Sequence, residues 1–316
     1  MILELLGTAL LSLMAVQDPP PTVLDEVVVE GVRRTEETAF EFIEAVSAPP
    51  FGSRTLAVWT TPLCLSVENL PPDQTAALRD RILGRAEFVG AEIAEGGCAP
   101  NVMVIFTSDG ARTSSALVRA NSAAFRPTTG PTQLERASLR RFTDASRPVR
   151  WWTVNLPVDV ETGQRVVALA GENIPVTHYQ TTSVSEGSAP EGQTGGPPWR
   201  KLKPGMQPPG NNIRESLQMT MVVVDATLAS GTSFASLGDY VAMIALAQVD
   251  PEASFAGQPT VLDLFSPTPG ATELTRWDLD YLTALYDAPV AWTNIRFQKE
   301  DIARRMVDTG VERARE

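Results

Sequence analysis

Apolar positions recur at helical spacing in one long segment. Leu78, Ile82, Ala86, Val89 and Ile93 follow at steps of three or four, which is one face of a 3.6-residue period. Asp73 suits its N-cap and Gly96-Gly97 its end. Residues 55–67 (TLAVWTTPLCLSV) and 101–107 (NVMVIFT) flank it as β-type runs, so 55–107 reads strand, helix, strand. Residues 35–46 form an earlier candidate helix, with Phe40, Ile43 and Val46 on one face. Trp151–Val158 and Arg165–Ala170 read as a hairpin around Glu161-Thr162-Gly163. Met219–Asp225 is a continuous apolar strand. Residues 235–249 are apolar on nearly all sides, with Ser236, Asp239 and Gln248 as the polar exceptions, so they predict a central, enclosed helix. Thr275 and Asp278 form a capping box that opens a helix through Tyr286. A last helix is predicted over 293–307, with the mixed charges of a solvated face.

Breaks in this pattern set the organisation. Residues 2–16 are a short apolar stretch, and Gln17-Asp18-Pro19-Pro20-Pro21 follows as a sharp stop. That order fits a signal peptide over 1–16 with a mature terminus behind it, the alternative being a first helix packed on the domain. Residues 17–50 are expected to form an arm and 51–310 a single α+β domain. Within that domain, 180–212 hold 6 Gly, 6 Pro, 3 Ser and 3 Thr in 33 positions, a composition of disordered insertions.

The chain's 316 residues and 43% apolar content suffice for a core. A net charge of −12 argues against an overall grip on nucleic acid. No apolar run reaches the ~18 residues needed to span a bilayer. Two cysteines exclude a disulfide-dense miniprotein. Cys64 and Cys98 flank the long helix and would pair in an oxidising compartment, or remain two buried thiols in a reducing one. The closed loop of about 34 residues would be worth about 3.5–4 kcal/mol. Export and pairing support each other and point to the periplasm or the outside of the cell.

Several chemistries lack their parts. His178 is the one histidine, so a zincin helix with His at i and i+4 is absent. No G-x-S-x-G elbow, P-loop or dinucleotide fingerprint occurs. Asp225, Asp239, Asp278 and Asp280 lie near predicted element ends and could supply a carboxylate pair, though capping and surface charge explain them as well. Residues 112–150 carry 8 Arg against Glu135 and Asp144, a local +6 that leaves −18 on the remainder. Arginine forks suit carboxylate or phosphate. Arg136, Arg140 and Arg141 are therefore the candidate anion-binding residues, with pairing to the chain's own acids as the alternative. No catalytic, cofactor-binding or metal-binding residue is assigned.

Two resemblances add to this. Leu24 to Arg34 (LDEVVVEGVRR) looks like the start of TonB-dependent outer-membrane receptors, and an extended segment of that kind can add a strand to a partner's sheet. Trp59 with Pro62-Leu63-Cys64, Gly97-Cys98-Ala99-Pro100-Asn101, Asp239-Tyr240-Val241-Ala242-Met243 and Trp277 to Tyr286 together resemble a family of uncharacterised exported proteobacterial proteins. The likeness runs over about 54–308. The carboxyl-terminal part, with Leu285-Tyr286-Asp287, also resembles a wider exported domain family that is similar to small zinc peptidases in element order. The resemblance implies a degenerate zincin-like scaffold whose catalytic helix falls on 235–249, where the zinc ligands are missing. The expectation is an exported, non-catalytic protein with a structural or binding role in the envelope, no cofactor and no known partner. The alternative is a hydrolase with a carboxylate-based site.

Overall fold

A computed structural model describes residues 35–49, 53–125, 133–163, 165, 213–289, 292 and 294–313. The stretches expected as signal peptide and arm before residue 35, the 26–32 run, residues 166–170, His178 and the expected insertion at 180–212 lie outside the described residues.

The β-type run at 55–67 forms two strands, β1 (Val58–Trp59) and β2 (Leu65–Glu68). Pro62 lies between them, and a proline has no N–H to give a ladder. Helix α2 (Pro72–Phe88) starts with a proline in its first turn, so Pro71 rather than Asp73 is its N-cap. It ends earlier than predicted, because Gly90 takes a positive φ of 80°. Ile93 therefore leaves the helix and bridges Leu63 in parallel. Its apolar side chain continues the helical spacing by coincidence of sequence, not of structure. Cys64 and Cys98 form a disulfide with Cα atoms 6.1 Å apart, inside the usual span for such bonds.

Strand β3 (Val102–Thr107) pairs in parallel with β2 and with β5 (Ile213–Asp225), and β1 pairs in parallel with the start of β5. Strand β4 (Val149–Asp159) runs antiparallel along the whole of β5, with a bulge between Val154 and Asn155. Of the predicted hairpin, the turn and its first bridge lie among the described residues. Val158 bridges Arg165, but the long-range partner of β4 is a strand more than 50 residues later.

Alternation along the strands builds two layers of core. Val102, Val104, Phe106, Val222 and Val224 face one side, with Trp151 of β4. There they meet α1 (Glu36–Val46), α2, α6 (Phe234–Leu246), α7 (Arg276–Asp287) and α8 (Ile295–Arg313). Ile105, Met221 and Val223 face the other side with Phe125, Leu139 and Phe142. That second layer belongs to α3 (Gly110–Ala120), α4 (Ser122–Phe125) and α5 (Gln133–Asp144), helices that the pattern of polar and apolar positions did not reveal. Arg, Ala and Leu in α3 and α5 suit a helix, and Leu139 and Phe142 of α5, three positions apart, turn to the same buried layer.

Helix α1 belongs with the body and not with a loose arm. Arg33 onward forms one compact unit, and α1 buries Ala39, Phe42, Ile43 and Val46. Lys299 of α8 reaches Glu44 at 2.6 Å. Helix α8 is likewise only partly solvated, since Ile302, Ala303 and Met306 are buried. No described helix is long and apolar enough to cross a membrane.

Candidate functional site

Helix α6 is the place to look first, because it follows the central strand β5 and lies deepest. Ser233 caps it by accepting from the N–H of Ser236 at 3.0 Å. Every residue from Ser236 to Leu246 is buried. A 13-residue helix with no exposed stripe has to be covered on all sides, as its sequence required.

Its one charged residue, Asp239, is fully enclosed and fully engaged. Oδ1 accepts from Arg81 Nε at 2.7 Å and Arg85 Nε at 2.9 Å. Oδ2 accepts from Arg81 Nη2 at 2.8 Å, Arg85 Nη2 at 3.1 Å and the Leu274 N–H at 2.9 Å. Positions 81 and 85 are one helical turn apart, so α2 presents both forks on one face. Glu273 accepts from Arg81 at 2.8 Å and brings the quartet to neutrality. Gly238 permits this approach, since a Cβ there would meet Arg81 Cγ at 2.8 Å. Burial works to raise the Asp239 carboxyl, but the Arg81, Arg85 and Leu274 hydrogen bonds outweigh it and hold the group below the usual range. Both carboxylate oxygens are spent on internal partners.

Between α6 and β4 the space is filled with rings. Trp151 and Tyr240 meet edge to face at 6.1 Å, and Tyr240 meets Phe265 the same way at 5.1 Å. The Trp151 indole N–H donates to the Val249 carbonyl at 3.2 Å.

The other acids serve separate networks. Asp225 accepts from the Gly110 N–H at 2.9 Å and from the N–H groups of Thr227 and Leu228, joining the end of β5 to the start of α3. Asp278 accepts from Thr260 Oγ1 at 2.6 Å, the Val261 N–H at 2.8 Å and the Thr275 N–H at 2.9 Å. Burial pushes its carboxyl up to about 6, against those hydrogen bonds. Asp280 is buried on the same helix. Glu215, which the sequence did not single out, is also raised by burial and accepts from Asn155 Nδ2 at 2.6 Å. Asp225, Asp239, Asp278 and Glu215 each accept from a different set of partners. Among the described residues, no group of three His, Cys, Asp or Glu is placed to hold a metal ion.

The arginine-rich segment is reorganised by the fold. The Arg136 side chain lies outside the described residues, and Arg140 is exposed on α5. Arg141 joins Arg147 and Arg150 in lining a cleft with Phe142, Trp152 and Glu252. Arg141 Nε lies 2.8 Å from Glu252 Oε2, and Arg147 Nη2 lies 3.7 Å from Glu252 Oε1. Arg147 also donates to the Pro251 carbonyl. Arg150 is almost completely buried and donates through Nη1 to the carbonyls of Phe142 and Thr143, both at 3.3 Å. The sequence counted Arg147 and Arg150 among the excess cations but gave no reason to choose them. Strand alternation would have placed Arg150 beside Trp152 on one face, had β4 been started at Val149.

No protein-family model, curated protein or solved structure matches this chain.

Proposed function

We propose that this is an exported, non-catalytic protein of the cell envelope, built on a degenerate zincin-like domain with a structural or binding role. The observation that carries the reading is the enclosure of α6, with Asp239 held by two arginines and the Trp151–Tyr240–Phe265 rings filling the space before it. A catalytic helix needs a polar side chain open to substrate, and the exposed positions of α6 are Phe234 and Ala235.

The scaffold reading draws on element order. Strand β5 is followed directly by the buried helix α6, the strand-then-helix order that the resemblance to small zinc peptidases implies. The donor set does not fit zinc. The polar side chains buried within α6 are Ser236, Asp239 and Tyr240, and a zinc site without imidazole or thiolate would be weak. Export is supported by the Cys64–Cys98 bond, which persists in oxidising compartments.

The test is an assay of purified protein, with and without added zinc, on casein and on nitrophenyl glycosides. The expected result is no turnover above buffer and no stoichiometric zinc by elemental analysis. Turnover that disappears in Glu215→Gln or Asp278→Asn protein would overturn the reading in favour of a carboxylate hydrolase.

A further inference from the structure

Charge is unevenly shared along this chain. Residues 112–150 carry +6 and the remainder −18, so acids are plentiful. Elsewhere the arginines find them. Arg81 and Arg85 meet Asp239, Arg296 meets Glu300, and Arg304 and Arg305 meet Asp301. Arg112, Arg119 and Arg140 do not. They are exposed, and they form no ion pair among the described residues.

Local structure sets their direction. Helix α3 buries Gly110 and Ser114 and packs Leu117 and Val118 against the sheet. Arg112 and Arg119 are seven residues apart, about two turns and about 10 Å along the axis, so they share one stripe. Helix α5 buries Leu139 and Phe142, which leaves Arg140 outward. The two helices pack beside each other in the same layer. The acids nearest in sequence stand at the helix ends and are engaged there. Asp109 caps α3 by accepting from the Arg112 N–H at 2.9 Å, and Asp144 accepts from Thr143 Oγ1 at 2.7 Å.

What such a cationic face takes depends on what surrounds the charges. Among the described residues, the exposed large apolar side chains are Phe88, Leu228, Phe234 and Phe297, all on other elements. Helices α3 and α5 therefore bring no wedge to insert into a bilayer. Trp152 is turned into the layer, with its indole N–H on the Phe125 carbonyl at 2.9 Å and its ring 6.2 Å from that of Phe142. It is no platform on which a nucleic-acid base could stack. The surface beside the arginines is small and polar instead, with Ala116, Ala120 and Ser122 exposed. Guanidinium forks on such a surface suit anionic groups carried along a chain of hydroxyl-rich rings.

We propose that the outward face of α3 and α5 binds an acidic polysaccharide, whose anionic groups pair with Arg112, Arg119 and Arg140. This names a partner class for the binding role proposed above and rests on that reading. The two fail separately, because turnover refutes the one and binding is read here without turnover.

The test is fluorescence anisotropy with labelled polygalacturonate and the full chain, between about 50 and about 200 mM salt. Labelled neutral dextran, labelled oligothymidylate and phosphatidylglycerol vesicles are the comparison probes. Polygalacturonate is expected to bind saturably at the low end and to weaken as salt rises. Arg119→Gln/Arg140→Gln, one position from each helix, should weaken it at least about fivefold and lower the log–log salt slope by about 1.4. Arg276→Gln/Arg296→Gln makes the same charge change at exposed positions of α7 and α8, and should leave affinity within about twofold. All four side chains are exposed, so folding is expected to survive, and far-UV circular dichroism checks it. Absence of saturable binding at low salt, equal weakening in the two double variants, or dextran, oligothymidylate or vesicles binding as tightly as polygalacturonate would each overturn the proposal.

Discussion

Replacing Asp239 by Asn tests the central packing claim with the exchange of a single heavy atom. The carboxylate receives five hydrogen bonds from Arg81, Arg85 and the Leu274 N–H. An Asn keeps one acceptor oxygen and turns the other position into a donor that faces other donors. Removing one partner from a buried ion pair typically costs about 3–5 kcal/mol. Here the Arg81 and Arg85 side chains retain 30% and 24% exposure, so water recovers part of that loss and about 2–4 kcal/mol is expected. Urea unfolding followed by far-UV circular dichroism measures it. Asp239 also has a depressed pKa in the folded state, so its contribution is present above the unfolded pKa and is lost as pH falls through the folded one. The wild type should therefore lose stability on acidification more steeply than Asp239→Asn. A loss under about 0.5 kcal/mol at neutral pH would be the result of a surface substitution, and would refute the clamp between α2 and α6.

Two further outcomes follow from the same packing. Ile244→Ala empties a fully buried position on α6 and should cost about 2–5 kcal/mol in denaturant unfolding; a loss under about 0.5 kcal/mol would mean α6 is not the centre of the core. Asp278 has the opposite sign from Asp239: its carboxyl is raised to about 6, so the folded state binds the extra proton and stability should fall as pH rises from about 4 to about 6. Comparing unfolding of wild type and Asp278→Asn across that window checks it, and parallel pH profiles would refute the assignment.

What could be read from the sequence was local. The all-round apolar run placed α6 inside, because a helix without a polar stripe has no solvated face. Thr275 and Asp278 marked the start of α7 because a capping box closes within four residues. Two cysteines on either side of α2 could be matched because no other thiol competed. The tertiary structure decided whatever depended on distant partners. Strand β4 found β5, more than 50 residues later, as its long antiparallel partner, a pairing that no local pattern marks. Ile93 kept helical spacing yet became extended, because Gly90 ended α2 and Leu63 offered a backbone partner. The arginines were visible as an excess of charge, but which of them meet was not. Arg141, Arg147 and Arg150 converge because α5, the following connection and β4 fold onto one another, while Arg140, next to Arg141, points elsewhere on its helix. Periodicity, caps and turn residues act over a few positions and are written in the chain, whereas side-chain constellations depend on strand register and helix packing, which bring together residues far apart in sequence.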